Sequence, residues 1–268
     1  MRPIVLFDMD GTITPVRKKI ESDVIGALID LSKYSDIGIV TGSGMDYLVD
    51  QCEEIWSKGS GFNPSLLSLL PCNGTKSYKW CSILNKWNSV SSQDMSEHMG
   101  KEIFRKLIKT LISLQNDVAT SEVFEEVPLI GHFISYRGSM VNWCPMGRDA
   151  SFSYREDFVK IDRSKNVRTQ LVAMLNSRMS SLNINNITAA LGGNTSIDIY
   201  PDGWDKTFSL NHVSSKNVWF VGDRCKKGEN DYELFKKIDQ TGRAFETSST
   251  KETLKIISDL IIPNLSIG

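Results

Sequence analysis

Cysteine is sparse and unpatterned in this chain: Cys52, Cys72, Cys81, Cys144 and Cys225 are odd in number, widely spaced and contain no C-x-x-C pair. That argues against both a disulfide framework and a zinc site, and a reducing compartment fits best. Net charge is also lacking. With 31 Lys and Arg against 32 Asp and Glu, the formal charge is −1, so nothing points to nucleic acid or a membrane surface as a bulk partner, and a charged ligand must be held locally. No apolar run approaches the length of a membrane span. The N-terminus enters a strand and an acidic turn almost at once, without the basic and apolar regions of a signal peptide, so a soluble, cytoplasmic protein is expected. Internal repeats, low-complexity tracts and long charge runs are missing too, which excludes a repeat architecture. The 268 residues suffice for one large domain or two medium ones.

What is present is concentrated in the first fifteen residues. The apolar run Pro3 to Phe7 leads into Asp8-Met9-Asp10-Gly11-Thr12 and then Ile13-Thr14-Pro15. A short apolar run closed by a Gly/Thr/Pro cluster reads as a buried strand ending in a sharp turn, where open parallel sheets place their ligands. Two carboxylates so close repel unless a cation lies between them, and Mg²⁺ with oxygen ligands removes that cost. Asp8 can then attack a phosphoryl group while Asp10 handles the proton. Asp-x-Asp is common on solvated loops, but here Gly11 permits the turn and leaves N–H groups free to face an anion. The five residues resemble the first motif of the haloacid dehalogenase superfamily, whose first Asp is the nucleophile and second the general acid/base.

The strand, loop, helix order continues through Arg17 to Lys33, Ile37 to Val40, Met45 to Trp56 and Leu66 to Leu70, predicting right-handed crossovers and a parallel, doubly wound sheet. Between residues 78 and 203 the pattern changes. Strands are expected near Tyr78 to Leu84, Phe133 to Tyr136, Met140 to Trp143, Ile187 to Leu191 and Ser196 to Tyr200, with helices at Lys101 to Leu114 and Val167 to Leu182. Hairpins with two helices suggest an antiparallel sheet covered on one face. From Trp204 the first pattern returns, with a helix at Lys206 to His212, a strand at Val218 to Val221 and helices at Asp231 to Lys237 and Glu252 to Ile262. The expected fold class is α/β: a doubly wound, mostly parallel-sheet core domain (1–77 and 204–268) interrupted by an α+β cap domain (78–203).

Three further stretches suit a phosphoryl site. Thr41-Gly42-Ser43 ends a strand, where hydroxyls and N–H groups can hold phosphoryl oxygens. Lys206 starts a helix, where its ammonium could neutralise Asp8 and phosphate together. Asp223 ends another strand, with Asp231 beyond it, suited to complete a Mg²⁺ shell with Asp8 and Asp10. Taken singly these are an ordinary turn, a surface lysine and a helix cap at Asn230 or Asp231. Together they fall in the order of the superfamily's four motifs. In the cap, Arg137, Arg148 and Arg155 fall on or just after strands. Ser196 and Asp198 alternate with Ile197 and Ile199, giving a polar face suited to a sugar phosphate.

The stretches Tyr136-Arg137-Gly138-Ser139-Met140, Pro145-Met146-Gly147-Arg148, Tyr154-Arg155, Gly192 to Asp198 and Pro201 to Lys206, with Asp8 to Arg17, resemble the eukaryotic-type phosphomannomutases. The resemblance covers most of the chain. It implies that Arg17, Arg137, Arg148, Arg155, Ser196 and Asp198 bind a hexose phosphate, and that mannose 6-phosphate and mannose 1-phosphate interconvert on the route to GDP-mannose. It further implies Mg²⁺, a hexose 1,6-bisphosphate as activator and intermediate, and a homodimer through the caps. The chain departs from that family at Thr41 (usually Gly), Gly44 (usually Asp), Cys72 (usually Glu) and Glu229 (usually Gly), and Thr41 is the choice of ordinary phosphatases. A sugar-phosphate phosphatase is therefore the alternative reading. A non-catalytic sugar-phosphate binding protein would be expected to lack one of Asp8, Asp10, Lys206 or Asp223, and all four are present.

Overall fold

A computed structural model describes residues 2–266. The chain divides into two compact units, one comprising residues up to Ser92 together with those from Gly203 onward, the other Gln93–Asp202. The first unit contains β1 (Ile4–Phe7), α1 (Ser22–Leu31), β2 (Asp36–Val40), α2 (Met45–Cys52), β3 (Leu67–Leu70), β4 (Lys76–Cys81) and β5 (Lys86–Ser92). The second holds α3 (Met95–Met99), α4 (Lys101–Thr120), β6 (Ile134–Tyr136), β7 (Val141–Trp143), α5 (Phe152–Lys165), α6 (Val167–Ser181), β8 (Ile187–Gly192) and β9 (Ser196–Pro201). The chain then returns to the first unit with β10 (Val218–Gly222), α7 (Tyr232–Asp239), β11 (Ala244–Glu246) and α8 (Thr250–Lys255), the last running on as helix to Ser266.

The core sheet has the order β11-β10-β1-β2-β3-β4-β5, parallel from β11 to β3. β1 lies in the middle, and alternate side chains fill different cores. Val5 and Phe7 join α1, α2 and the C-terminal helix in one apolar cluster, while Ile4 and Leu6 join Val40, Phe220 and Leu234 in another. A strand buried on both faces must be continuously apolar, which is why Ile4-Val5-Leu6-Phe7 carries no polar residue.

The structure corrects the core's limit. The expected boundary at 77/78 lies instead at 92/93, because β4 pairs antiparallel with β3 (Ser68 opposite Lys79, Leu69 opposite Tyr78) and β5 with β4, extending the core sheet. The hairpin is an exposed sheet edge, so Lys86 to Ser92 has too few buried positions to show an apolar period; its anchors are the edge-to-face contacts of Trp87 with Trp56 and Trp80.

The inserted unit has the antiparallel order β6-β7-β9-β8. Val141, Trp143, Ile197 and Ile199 are fully buried, and Trp143 donates from its indole N–H to Gln115 Oε1 of α4 at 2.7 Å. α5, unforeseen in the sequence, buries only Phe158. Among the described residues no helix is long and apolar enough to cross a membrane.

Candidate active site

The register of three neighbouring strands assembles the core site. Phe7 lies opposite Val221 of β10 and Ile39 of β2, and the Asp8 N–H donates to Val221 O at 2.9 Å. Asp8, Gly222-Asp223 and Thr41 therefore leave adjacent C-terminal strand ends, the usual ligand edge of an open parallel sheet. Glycines permit the close approach. A Cβ on Gly11 (φ +87°) would stand 2.5 Å from Asp223 Oδ2, and one on Gly222 would stand 2.7 Å from Asp231 Oδ2.

Lys206 is fully buried, and its ammonium donates to both Asp8 Oδ1 and Asp231 Oδ1. Burial alone would push the ammonium toward neutrality, but the Asp231 and Asp8 carboxylates overcome that and raise its pKa above the ordinary lysine value. Asp231 is pushed up to about 6 by burial, against the opposing attraction of Lys206. Its other oxygen accepts the Arg224 N–H at 3.0 Å. Asp231 precedes α7 without a capping bond from its side chain, so it is Lys206's partner and not a helix cap.

Asp10 lives in a different environment. Its Oδ1 accepts from the Arg17 N–H at 2.8 Å and faces Tyr47 OH and Gln51 Nε2, both at 3.4 Å. Burial raises its pKa, the Arg17 N–H lowers it, and Asp8 raises it again; the net shift is upward. Tyr47 and Gln51 sit four apart on α2 and so share a face. Sequence reasoning missed both, since Gln51 stands between Asp50 and Cys52 with Glu53 and Glu54 following, and nothing in that stretch marks it as a buried amide. Arg17 is exposed, with φ +60°.

Asp8, Asp223 and Asp231 each offer an oxygen within 4.8 Å of the others. Asp223 is raised to about 8, first by burial and then by the charges of Asp8 and Asp231, and its Oδ1 is buried with no hydrogen-bond partner among the described residues. An orphaned carboxylate oxygen beside two more acids, with hard oxygen donors only, is a donor set that fits Mg²⁺. The Asp10 carboxylate lies outside this set.

The second loop is braced from within. The Ser43 N–H donates to Thr41 Oγ1 at 3.1 Å, so that N–H serves the turn. In the inserted unit, Asn142 Nδ2 donates to Asp198 Oδ1 at 2.6 Å, and Asn142 Oδ1 accepts from Arg148 Nη1 at 2.5 Å. Arg155 belongs to the first turn of α5 and not to a strand. It donates to Ala150 O and Thr195 Oγ1, each at 3.1 Å, and to Arg148 O, tying the loop before α5 to the β8–β9 turn. Arg137 occupies the β6–β7 turn, its N–H donating to Met140 O at 2.9 Å. Ser196 lies at the first position of β9, on the same face as Asp198.

A doubly wound sheet with an acid cluster at its C-terminal edge and an inserted α+β unit defines a haloacid dehalogenase-type protein. Solved structures share the fold: a Plasmodium falciparum IMP-nucleotidase (TM-score 0.64, 14% identity, 98% of this chain and 67% of that one) and an Aspergillus fumigatus trehalose-6-phosphate phosphatase (TM-score 0.51, 15% identity, 100% and 93%). Within that class, the chain belongs to the eukaryotic phosphomannomutase family, which residues 24–263 match. Relatives named phosphomannomutase include those of Schizosaccharomyces pombe (31% identical, 87% of this chain and 85% of the relative) and Saccharomyces cerevisiae (30% identical, 96% and 93%).

Proposed function

We propose that this chain is a Mg²⁺-dependent phosphomannomutase, interconverting mannose 6-phosphate and mannose 1-phosphate through an aspartyl phosphate on Asp8 and a hexose 1,6-bisphosphate. The observation that carries this reading is the division of labour between two acids two residues apart. Asp8 is bound to a buried ammonium, whereas Asp10 has a raised pKa and is oriented by Arg17, Tyr47 and Gln51. Such separated environments distinguish a nucleophile from a general acid/base.

Asp8 attacks the phosphoryl group of the bisphosphate, and Asp10 protonates the departing sugar oxygen. The monophosphate so formed leaves, and the free hydroxyl of the isomeric monophosphate gives its proton to Asp10 as its oxygen takes the phosphoryl group from Asp8, regenerating a bisphosphate that reorients to present its other phosphoryl group to Asp8. Lys206 balances charge on Asp8 throughout, and the Thr41-Gly42-Ser43 loop bounds the phosphoryl position. Asp8 and Asp223 would hold Mg²⁺, which when bound neutralises charge on the phosphoryl oxygens. Arg17, Arg137, Arg148, Ser196 and Asp198 grip the hexose phosphate, with Arg155 bracing the Arg148 backbone. Under the same reading the enzyme is cytoplasmic, feeds GDP-mannose synthesis and forms a homodimer through the inserted unit.

The test is to incubate the protein with mannose 1-phosphate, Mg²⁺ and a trace of hexose 1,6-bisphosphate, and to follow mannose 6-phosphate and free phosphate together. Isomer in large excess over phosphate is expected. Phosphate without isomer would replace the mutase by a phosphatase.

The acid cluster also sets a pH dependence. Asp223 and Asp231 have folded-state pKa values of about 8 and about 6 against 3.8 for the free side chain. Between those limits the metal-free folded state holds protons that the unfolded chain has lost. The stability that these two protons contribute is thus fully present near pH 4 and is lost as pH rises toward 8. Mg²⁺ competes with those protons, so the Tm increase on adding Mg²⁺ should be larger at pH 8 than at pH 5. An equal increase at both would contradict this placement of the cation.

A further inference from the structure

Asn142 occupies the middle of β7, between two residues that point the other way. Val141 and Trp143 are fully buried with Ile197 and Ile199, so the strand's alternation puts Asn142 on the opposite face. It stands directly across from Asp198 of β9 and Ser135 of β6, and only 2% of its surface is exposed. Its amide is used at both ends: the NH₂ donates to the Asp198 carboxylate at 2.6 Å and the carbonyl accepts from the Arg148 guanidinium at 2.5 Å.

Few side chains can do this. The linkage needs an acceptor toward the cation and a donor toward the anion on one short, planar, uncharged group. An Asp would set two carboxylates against each other, a Leu would leave both neighbours without this partner, and a Gln would overreach by one methylene. Crowding fixes the Asp198 end as well, since a Cβ on Gly192 would lie 2.5 Å from Asp198 Oδ2. The carboxylate thus has a wall of backbone on one side and the Asn142 amide on the other.

We infer that Asn142 is a positioning residue for substrate binding: it sets the Arg148 guanidinium and the Asp198 carboxylate in one geometry on the face of the cap sheet opposite Trp143, so that a hexose phosphate meets both already oriented. The inference rests on the proposed hexose-phosphate site. Its energetic basis is preorganisation, in which holding rotamer-rich side chains before binding removes their ordering cost from the affinity.

The experiment measures KM and kcat for mannose 1-phosphate with the wild type, Asn142→Ala, Arg148→Ala and the double variant, each first shown to unfold cooperatively. Asn142→Ala should raise KM by about tenfold, the loss of one charge-assisted hydrogen bond, with a smaller change in kcat. The double variant should lose less than the product of the two single effects, because part of what Asn142 does passes through Arg148 and the rest through Asp198. Asn142→Ser, whose hydroxyl both donates and accepts, should fall between Asn142→Ala and the wild type, and it provides the comparison if the alanine variant does not fold. A KM within twofold of the wild type for both substitutions, or effects of Asn142→Ala and Arg148→Ala that multiply, would overturn the inference. If the wild type releases phosphate without forming mannose 6-phosphate, the mutase reading fails, while the same KM comparison on phosphate release still judges Asn142.

Discussion

Replacing Asp8 by asparagine is expected to abolish mannose phosphate turnover, with a loss on the order of 10⁴-fold or more, as for other single nucleophile substitutions. Asparagine keeps the size of the side chain and can still accept from Lys206 through its carbonyl, but it cannot take up a phosphoryl group. The fold should survive. Lys206 retains Asp231, and removing the Asp8 charge relieves the repulsion that helps raise Asp223. Without Mg²⁺ at pH 8 the Tm of the variant should therefore equal or exceed that of the wild type. Thermal unfolding beside the kinetic assay tests both halves, and residual turnover within a hundredfold of the wild type would remove Asp8 from the mechanism.

Removing Lys206 should have the largest effect on stability. Its ammonium is fully buried between Asp8, 4% exposed, and Asp231, 0% exposed. Lys206→Ala would leave those acids, with Asp223 beside them, short of their cation. Breaking a buried ion pair from one side costs about 3–5 kcal/mol, which in a chain of this size lowers Tm by roughly 10 °C. Mg²⁺ should recover part of the loss, since it supplies positive charge to the same acids. Lys206→Met, which fills the volume without the charge, should be nearly as unstable as Lys206→Ala if electrostatics dominates. Recovery of wild-type Tm by the methionine would show instead that packing is the main contribution.

Much of the fold and of the candidate site is legible in the chain because the residues that the core strands bring together sit where local pattern is strongest. Ile4 to Phe7 is apolar without interruption, and Asp8, Thr41 and Asp223 each follow such a run at a predicted turn. Lys206 was identifiable from its place at a helix start. Tertiary partnership was not legible. Asp231 read equally as a metal ligand or a helix cap, because nothing in Glu229-Asn230-Asp231 says that a lysine twenty-five residues earlier will reach it. Asn142 was passed over because a three-residue strand shows almost no period, and Tyr47 and Gln51 because an amphipathic helix signals its apolar face and not which polar group it aims at an acid. The β4–β5 hairpin was assigned to the wrong unit for the related reason that an exposed edge strand has little apolar pattern to record. At Gly44, where the family usually has Asp, α2 begins without a side-chain capping bond.

The central claim, that Asp8 carries a phosphoryl group from one position of a sugar to another, is tested most directly by a label chase. The protein is loaded with radiolabelled hexose 1,6-bisphosphate, part is quenched and digested, and the remainder is chased with unlabelled mannose 1-phosphate. The label should first appear on the peptide containing Asp8 and then move to hexose phosphate. Label on another peptide, or its passage from Asp8 to inorganic phosphate alone, would contradict the account.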